Sequence, residues 1–135
     1  MPVETRTIAD LARALHARDI SSEAVTTQCL ARIAERNPAI NAFISVHAEE
    51  ALDAARAADR EIAAGRYRGA LHGVPISLKD LIDMQGLPTT AASRVRAGHV
   101  APRDAVVTAR LRDAGAVILG KTNLHEFAFG TTNED

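Results

Sequence analysis

Ile8, Leu11, Ala12 and Leu15 recur at the three- and four-residue spacing that lines up side chains on one helix face. Thr7 and Asp10 form a capping box around the start of this run, because a hydroxyl and a carboxylate can each accept an amide that the first turn leaves unpaired. The spacing predicts a helix over 7–18. Ser21 and Ser22 are placed to cap a second helix with the apolar line Val25, Cys29 and Ile33. That helix should end before Asn37-Pro38, since the proline ring disfavours helical backbone in the residue ahead of it. Cys29 reads as a core thiol. A short strand over 41–46 follows, then a third helix on Ala48, Leu52, Ala55 and Ile62, closed by Gly65. Glu49, Asp53, Arg56, Asp59 and Arg60 form its solvated face.

Beyond residue 65 the pattern changes, with Gly65, Gly69, Gly73, Pro75, Gly86 and Pro88 punctuating short apolar pieces. Val74, Ile76 and Leu78 alternate with Pro75, Ser77 and Lys79. A strand here sets Ser77 and Lys79 together on the face opposite the three aliphatics, with Lys79 at its carboxyl end. Asp104 is placed to cap a helix carrying Val107, Leu111 and Ala114, which Gly115 ends. Ala116-Val117-Ile118-Leu119 is a continuous apolar run, the pattern of a strand covered on both faces. Strand, crossover helix and strand predict a βαβ-like unit with parallel pairing. The expected fold class is α/β, with N-terminal helices followed by the first strands of a mixed sheet. Neither a repeat nor a low-complexity linker divides residues 1–135, which read as part of a single domain.

Composition narrows the function classes. At 47% hydrophobic and 24% charged, the chain has the make-up of an ordinary globular domain. Sixteen Lys and Arg against 17 Asp and Glu leave a net charge of -1, which argues against direct nucleic-acid binding. The single Cys29 excludes an internal disulfide. Met1–Arg6 lacks the charged-then-apolar layout of a leader, and no apolar run approaches the ~18 residues of a membrane span. A cytoplasmic protein without a membrane partner is the expectation. Arg outnumbers Lys by 14 to 2, so Lys79 and Lys121 are the places to ask whether an amine in particular is needed or the lysine stands there by chance, because Lys can shed its proton and Arg cannot.

Several constellations carry little. Gly115–Thr122, GAVILGKT, satisfies the P-loop spacing G-x-x-x-x-G-K-T. A phosphate cradle needs a strand before the first glycine and a flexible loop between the two, whereas here a helix precedes and a buried strand fills the gap. A turn is expected at Gly120, with Lys121 and Asn123 beyond the strand end. His16, His47, His72, His99 and His125 have no metal-ligand spacing, and no metal or other cofactor is implied. Arg94, Arg96, His99 and Arg103 read as a solvated basic loop.

The informative stretches are Gly69-Ala70-Leu71-His72-Gly73-Val74-Pro75-Ile76-Ser77-Leu78-Lys79-Asp80, then Gly86-Leu87-Pro88-Thr89-Thr90, then Gly120-Lys121-Thr122-Asn123-Leu124-His125-Glu126-Phe127. Together they resemble the amidase signature family, whose members include bacterial amidases, fatty acid amide hydrolases and the A subunit of the tRNA-dependent amidotransferase. The resemblance runs from the N-terminal helices to Gly130. It implies hydrolysis of carboxamide C–N bonds through a Ser, cis-Ser, Lys triad, in which the lysine acts as base through the bridging serine. By motif the lysine falls on Lys79. The physical case agrees, since a lysine accepts a proton only as the neutral amine, a form that partial burial beside hydroxyls favours. Ser77, Asp80, Thr90, Ser93 and Asn123 are the candidates to surround it.

The two serines of that triad lie, in the family, in glycine- and serine-rich segments downstream of the part resembled here, and residues 1–135 contain no such segment. Ser21 and Ser22 read as caps, Ser45 as a strand residue and Ser93 as a loop residue. A Ser77 nucleophile would leave the oxyanion donors unassigned. The resemblance therefore implies a chain that carries the base but not the nucleophile and is inactive alone. The expected partners are a small amide substrate in the complete enzyme, the remainder of the amidase domain, or the other amidotransferase subunits. A non-catalytic binding or assembly remnant is the reading from another class.

Overall fold

The computed structural model describes residues 7–130; Met1–Arg6 lies outside them. The elements in chain order are α1 (Ile8–Ala17), α2 (Ser22–Ile40), β1 (Phe43–Val46), α3 (Ala48–Ala63), β2 (Pro75–Lys79), α4 (Val106–Asp113) and β3 (Val117–Thr122). The architecture is α/β. β3 is central in the order β1-β3-β2, antiparallel to β1 and parallel to β2, so the sheet is mixed.

Thr7 and Asp10 make both halves of the capping box at α1. At α2 the work is divided among three residues. Ser21 accepts the Ala24 amide at 3.1 Å, while Asp59 on α3 accepts the amides of Ser22 and Glu23 at 2.7 and 3.0 Å. Asp59 is thus a tertiary cap for the positive end of α2 and not part of a purely solvated face. Ser22 is buried and donates its hydroxyl to the Gly73 carbonyl at 2.7 Å, tying the helix to the residue that leads into β2.

Two predicted boundaries shift. α2 continues through Pro38 to Ile40 and stops at Asn41, whose left-handed backbone (φ 46°) sends its amide to the Asn37 carbonyl. Proline in the last turn forfeits one amide to the carbonyl of Ala34, an exposed residue, so the loss is small there. The Asn37 side chain accepts the Phe43 amide at 2.8 Å and donates to its carbonyl at 3.2 Å, which sets the start of β1. Asp104 does not cap α4. Ala105 holds that position without a side-chain bond, and Asp104 instead accepts the Gln85 amide at 2.7 Å and pairs with Arg112 at 3.0 Å. The buried residue of α4 is Thr108, bonded to the Asp83 carbonyl; Val107 is 46% exposed.

The core has two sides. On one, α3 lays Ala51 and Ala55 against Val117 and Leu119 of β3; the small side chains let helix and sheet approach closely. The buried stripe of α3 is Ala51, Ala55, Ala58 and Ile62, rotated from the predicted line, with Ala48 exposed. On the other side Ile118 packs with Leu78 and Met84. Ile118 thus faces away from Val117 and Leu119, as a strand requires.

Candidate functional site

Lys79 ends β2, and its side chain and that of Ser77 are both exposed while Leu78 between them is buried. The alternation therefore delivers the predicted shared face. Among the described residues Lys79 is exposed and not partly buried as expected, and its amine makes no hydrogen bond or ion pair with any of them.

The next residue behaves in the opposite way. Asp80 is 1% exposed and is the hub of a polar network. Its amide continues the sheet pairing to the Thr122 carbonyl at 3.0 Å, and its own carbonyl accepts the Ala91 amide at 2.8 Å. One carboxylate oxygen, Oδ1, pairs with Lys121 Nζ at 2.8 Å, while Oδ2 accepts the Thr90 amide at 3.1 Å and the Thr90 hydroxyl. Lys121, also 1% exposed, completes its shell with the Thr89 hydroxyl and the Pro88 carbonyl, each at 3.3 Å. Every donor of that ammonium has a partner, the condition under which a buried charge is tolerated.

A slip in strand register puts Lys121 there. β2 advances two residues from Ile76 to Leu78 while β3 advances three, from Ile118 to Lys121. The extra residue lies at Leu119–Gly120, and it turns Lys121 to the side of Ile118 and the 80–93 loop, where regular alternation would have sent it toward the α2–α3 side with Leu119. Gly120 is not a turn, as predicted, but a strand residue. A Cβ there would lie 2.2 Å from the Ser45 carbonyl oxygen on β1, so only glycine permits the pairing. The P-loop spacing is thus accounted for without a phosphate: Gly115 (φ +80°) follows α4, Gly120 admits β1, and Lys121 answers Asp80.

The remaining candidates divide. Thr90 belongs to the Asp80 network, and its hydroxyl also accepts the Ala92 amide at 3.1 Å. Ser93 is buried in the same loop, its hydroxyl accepting the Val95 amide at 3.3 Å as a cap for the short 3-10 turn Arg94–Arg96. Ala91 and Ala92, between them, both hold left-handed backbone (φ 54° each), which is strained for a residue with a Cβ. Asn123 is not brought to this place. It donates to the Asn41 carbonyl at 3.1 Å and ties the end of β3 to the segment before β1. Of the basic loop, Arg96 is engaged with the Thr89 carbonyl at 3.2 Å, whereas Arg94 and Arg103 are exposed. Among the described residues no three of His, Cys, Asp and Glu converge as a metal site, and no helix is long and apolar enough to cross a membrane. Thr89 and the placement of Lys121 inside a strand escaped the sequence reading. The signal that pointed to Lys121 was its rarity as one of two lysines.

His72, far along the chain from the other histidines, is 1% exposed. Its Nδ1 accepts the Arg68 amide at 3.2 Å and its Nε2 faces Glu61 at 3.2 Å. Burial holds its pKa below the ordinary histidine value, with Glu61 opposing in part.

The family model described as Amidase matches residues 24–135. The chain belongs to the amidase family. It is 54% identical over 127 residues to the A subunit of the glutamyl-tRNA(Gln) amidotransferase of Azoarcus sp. (strain BH72), covering 94% of this chain and 26% of that protein. It is 49% identical over 130 residues to the protein of the same name from Acidothermus cellulolyticus, covering 96% and 26%. Among solved structures, native peptide amidase from Stenotrophomonas maltophilia superposes with a TM-score of 0.87 at 42% identity, over 93% of this chain and 26% of that one. The chain therefore spans about a quarter of the length of the relatives it matches. Within the amidase family its α/β fold is that of the matched quarter.

Proposed function

We propose that these residues form the N-terminal part of a single amidase domain and supply the base of an amide-hydrolysing site, Lys79. The observation that carries this reading is the contrast between the two lysines. Lys121 is buried and spent on Asp80, while Lys79 projects, unpartnered among the described residues, from the carboxyl end of β2 beside Ser77. Carboxyl ends of strands are where α/β folds place ligands. In the complete site the neutral Lys79 amine takes the proton of the bridging serine, which in turn takes that of the nucleophilic serine as it attacks the amide carbon. On collapse of the tetrahedral intermediate the same relay returns a proton to the departing nitrogen. Both serines belong, in the family, to segments downstream of the stretch resembled here, so the 135-residue chain alone turns over no amide. Within the family, identities of 49% and 54% to the A subunits of amidotransferases favour a component that frees ammonia from an amide for use by partner subunits, over a stand-alone amidase.

In a chain that carries the two downstream serines, Lys79→Ala and Lys79→Arg should both abolish turnover while leaving folding intact, because Arg keeps the charge but cannot act as a neutral base. Near-normal turnover by the Arg variant would refute the assignment. So would amide hydrolysis by a verified 135-residue preparation that Lys79→Ala abolishes, which would direct attention to Ser77 and Ser93.

A further inference from the structure

Asp80 follows Lys79 directly, and it joins three pieces of chain at one point: the end of β2, the displaced Lys121 of β3, and Thr89–Ala92 of the following loop. A buried ion pair is a weak way to gain stability, because apolar residues of similar volume do as well or better. What it provides here is directional. Each carboxylate oxygen and the main-chain carbonyl of Asp80 has a fixed partner, and two of those partners, the amides of Thr90 and Ala91, hold the loop where its backbone turns left-handed at Ala91 and Ala92. Two adjacent strained alanines persist only where surrounding bonds over-determine them.

We infer that Asp80, Lys121 and Thr90 are positioning residues for Lys79, fixing the strand end that carries its amine against the 89–93 loop that forms the adjoining wall of the site. This rests on the reading of Lys79 as the base. Peptide planes are stiff, so locking both the amide and the carbonyl of Asp80 fixes the backbone that leaves Lys79, and an error of about 1 Å in a reacting group can cost about a hundredfold in rate.

The test uses the full-length chain that carries the downstream serines and a fluorophosphonate probe, which reports the activated serine without requiring the natural amide. Saturation kinetics separate the limiting labelling rate from the half-saturating probe concentration, and the labelled fraction separates both from loss of folded protein. Asp80→Asn and Thr90→Val should lower the limiting rate by about a hundredfold with half-saturation and final labelled fraction unchanged, and Thr90→Ser, which keeps the hydroxyl, should restore it. Parent labelling rates in folded Asp80→Asn and Thr90→Val would overturn the inference, as would a reduced labelled fraction at parent rate, the signature of a purely structural role. Should Thr90→Val alone remain folded, its comparison with Thr90→Ser decides. Lys79→Ala in the same background keeps the two readings apart. If it labels at the parent rate, the base assignment fails and the inference with it; if it is silent while the Asp80 and Thr90 variants are normal, the inference alone fails.

Discussion

Replacing Lys121 with methionine isolates the energetic role of the network. Methionine keeps most of the length and apolar volume of the side chain, so the cavity term is small and the change is chiefly electrostatic. Asp80, 1% exposed, would keep the Thr90 amide and hydroxyl but lose the Lys121 cation 2.8 Å away, its one ion pair among the described residues. Removing one partner of a buried pair costs about 3–5 kcal/mol, most of it the penalty of the charge left behind. With a urea dependence of about 2 kcal/mol per M, a loss of about 4 kcal/mol lowers the unfolding midpoint by about 2 M. Lys79→Met is the matched control: its amine is exposed and unpartnered among the described residues, so its midpoint should move by no more than about 0.3 M. Urea titrations of the three proteins followed by far-UV circular dichroism make the comparison at constant slope. The double variant Asp80→Asn/Lys121→Met should recover much of the loss, since it leaves no orphaned charge and keeps an acceptor for the Thr90 amide. Equal midpoints for the two single lysine variants would refute the buried pair as described.

Three further outcomes follow from the geometry. Gly120→Ala should lower stability by about 3 kcal/mol, because its Cβ meets the Ser45 carbonyl at 2.2 Å and backbone must move; melting at the parent temperature would contradict the register of β1 on β3. His72 has a folded pKa below its unfolded one, so below about pH 6.5 the unfolded chain binds the proton first. Its contribution is complete above that pH and is lost as pH falls toward the folded value, and His72→Gln should flatten the fall in stability below about pH 6.5 relative to the parent. Burial pushes the Cys29 thiol above its ordinary pKa, so iodoacetamide should modify it at least about tenfold more slowly in the folded chain than in urea, and equal rates would place it outside the core.

The class of fold and most elements were legible from spacing alone, and the reasons are local. Thr7 and Asp10 cap α1 because both partners lie within one turn, and the alternation around Ser77 and Lys79 holds because strand geometry fixes it residue by residue. What the pattern missed was non-local. Past Pro38 the chain is turned into β1 by Asn37 reaching Phe43, and Asp104 is drawn from its capping role by Gln85 and Arg112. Neither partner is visible from the spacing of apolar residues. Lys79 is singled out by its motif as the candidate base, whereas its exposure depends on which other parts of the chain pack against β2.

The departures that matter most for chemistry are not scattered. Gly120 and Lys121 break the apolar run of β3, Ala91 and Ala92 take a backbone that suits glycine, and Asp80 and Lys121 bury opposite charges at 1% exposure each. Any one of these, taken singly, conflicts with the local preference of its element. All lie within one connected set of bonds around the end of β2, and natural sequences concentrate such conflicts where function, and not stability, decides the residue. The displaced register makes the connection concrete. Were β3 regular through Leu119–Gly120, Lys121 would turn toward the α2–α3 side of the sheet, Asp80 would lose its cation, and the strand end bearing Lys79 would be held only by sheet pairing and the loop amides. The irregularity in β3 thus bonds Lys121 internally at the same strand end from which the exposed Lys79 leaves β2.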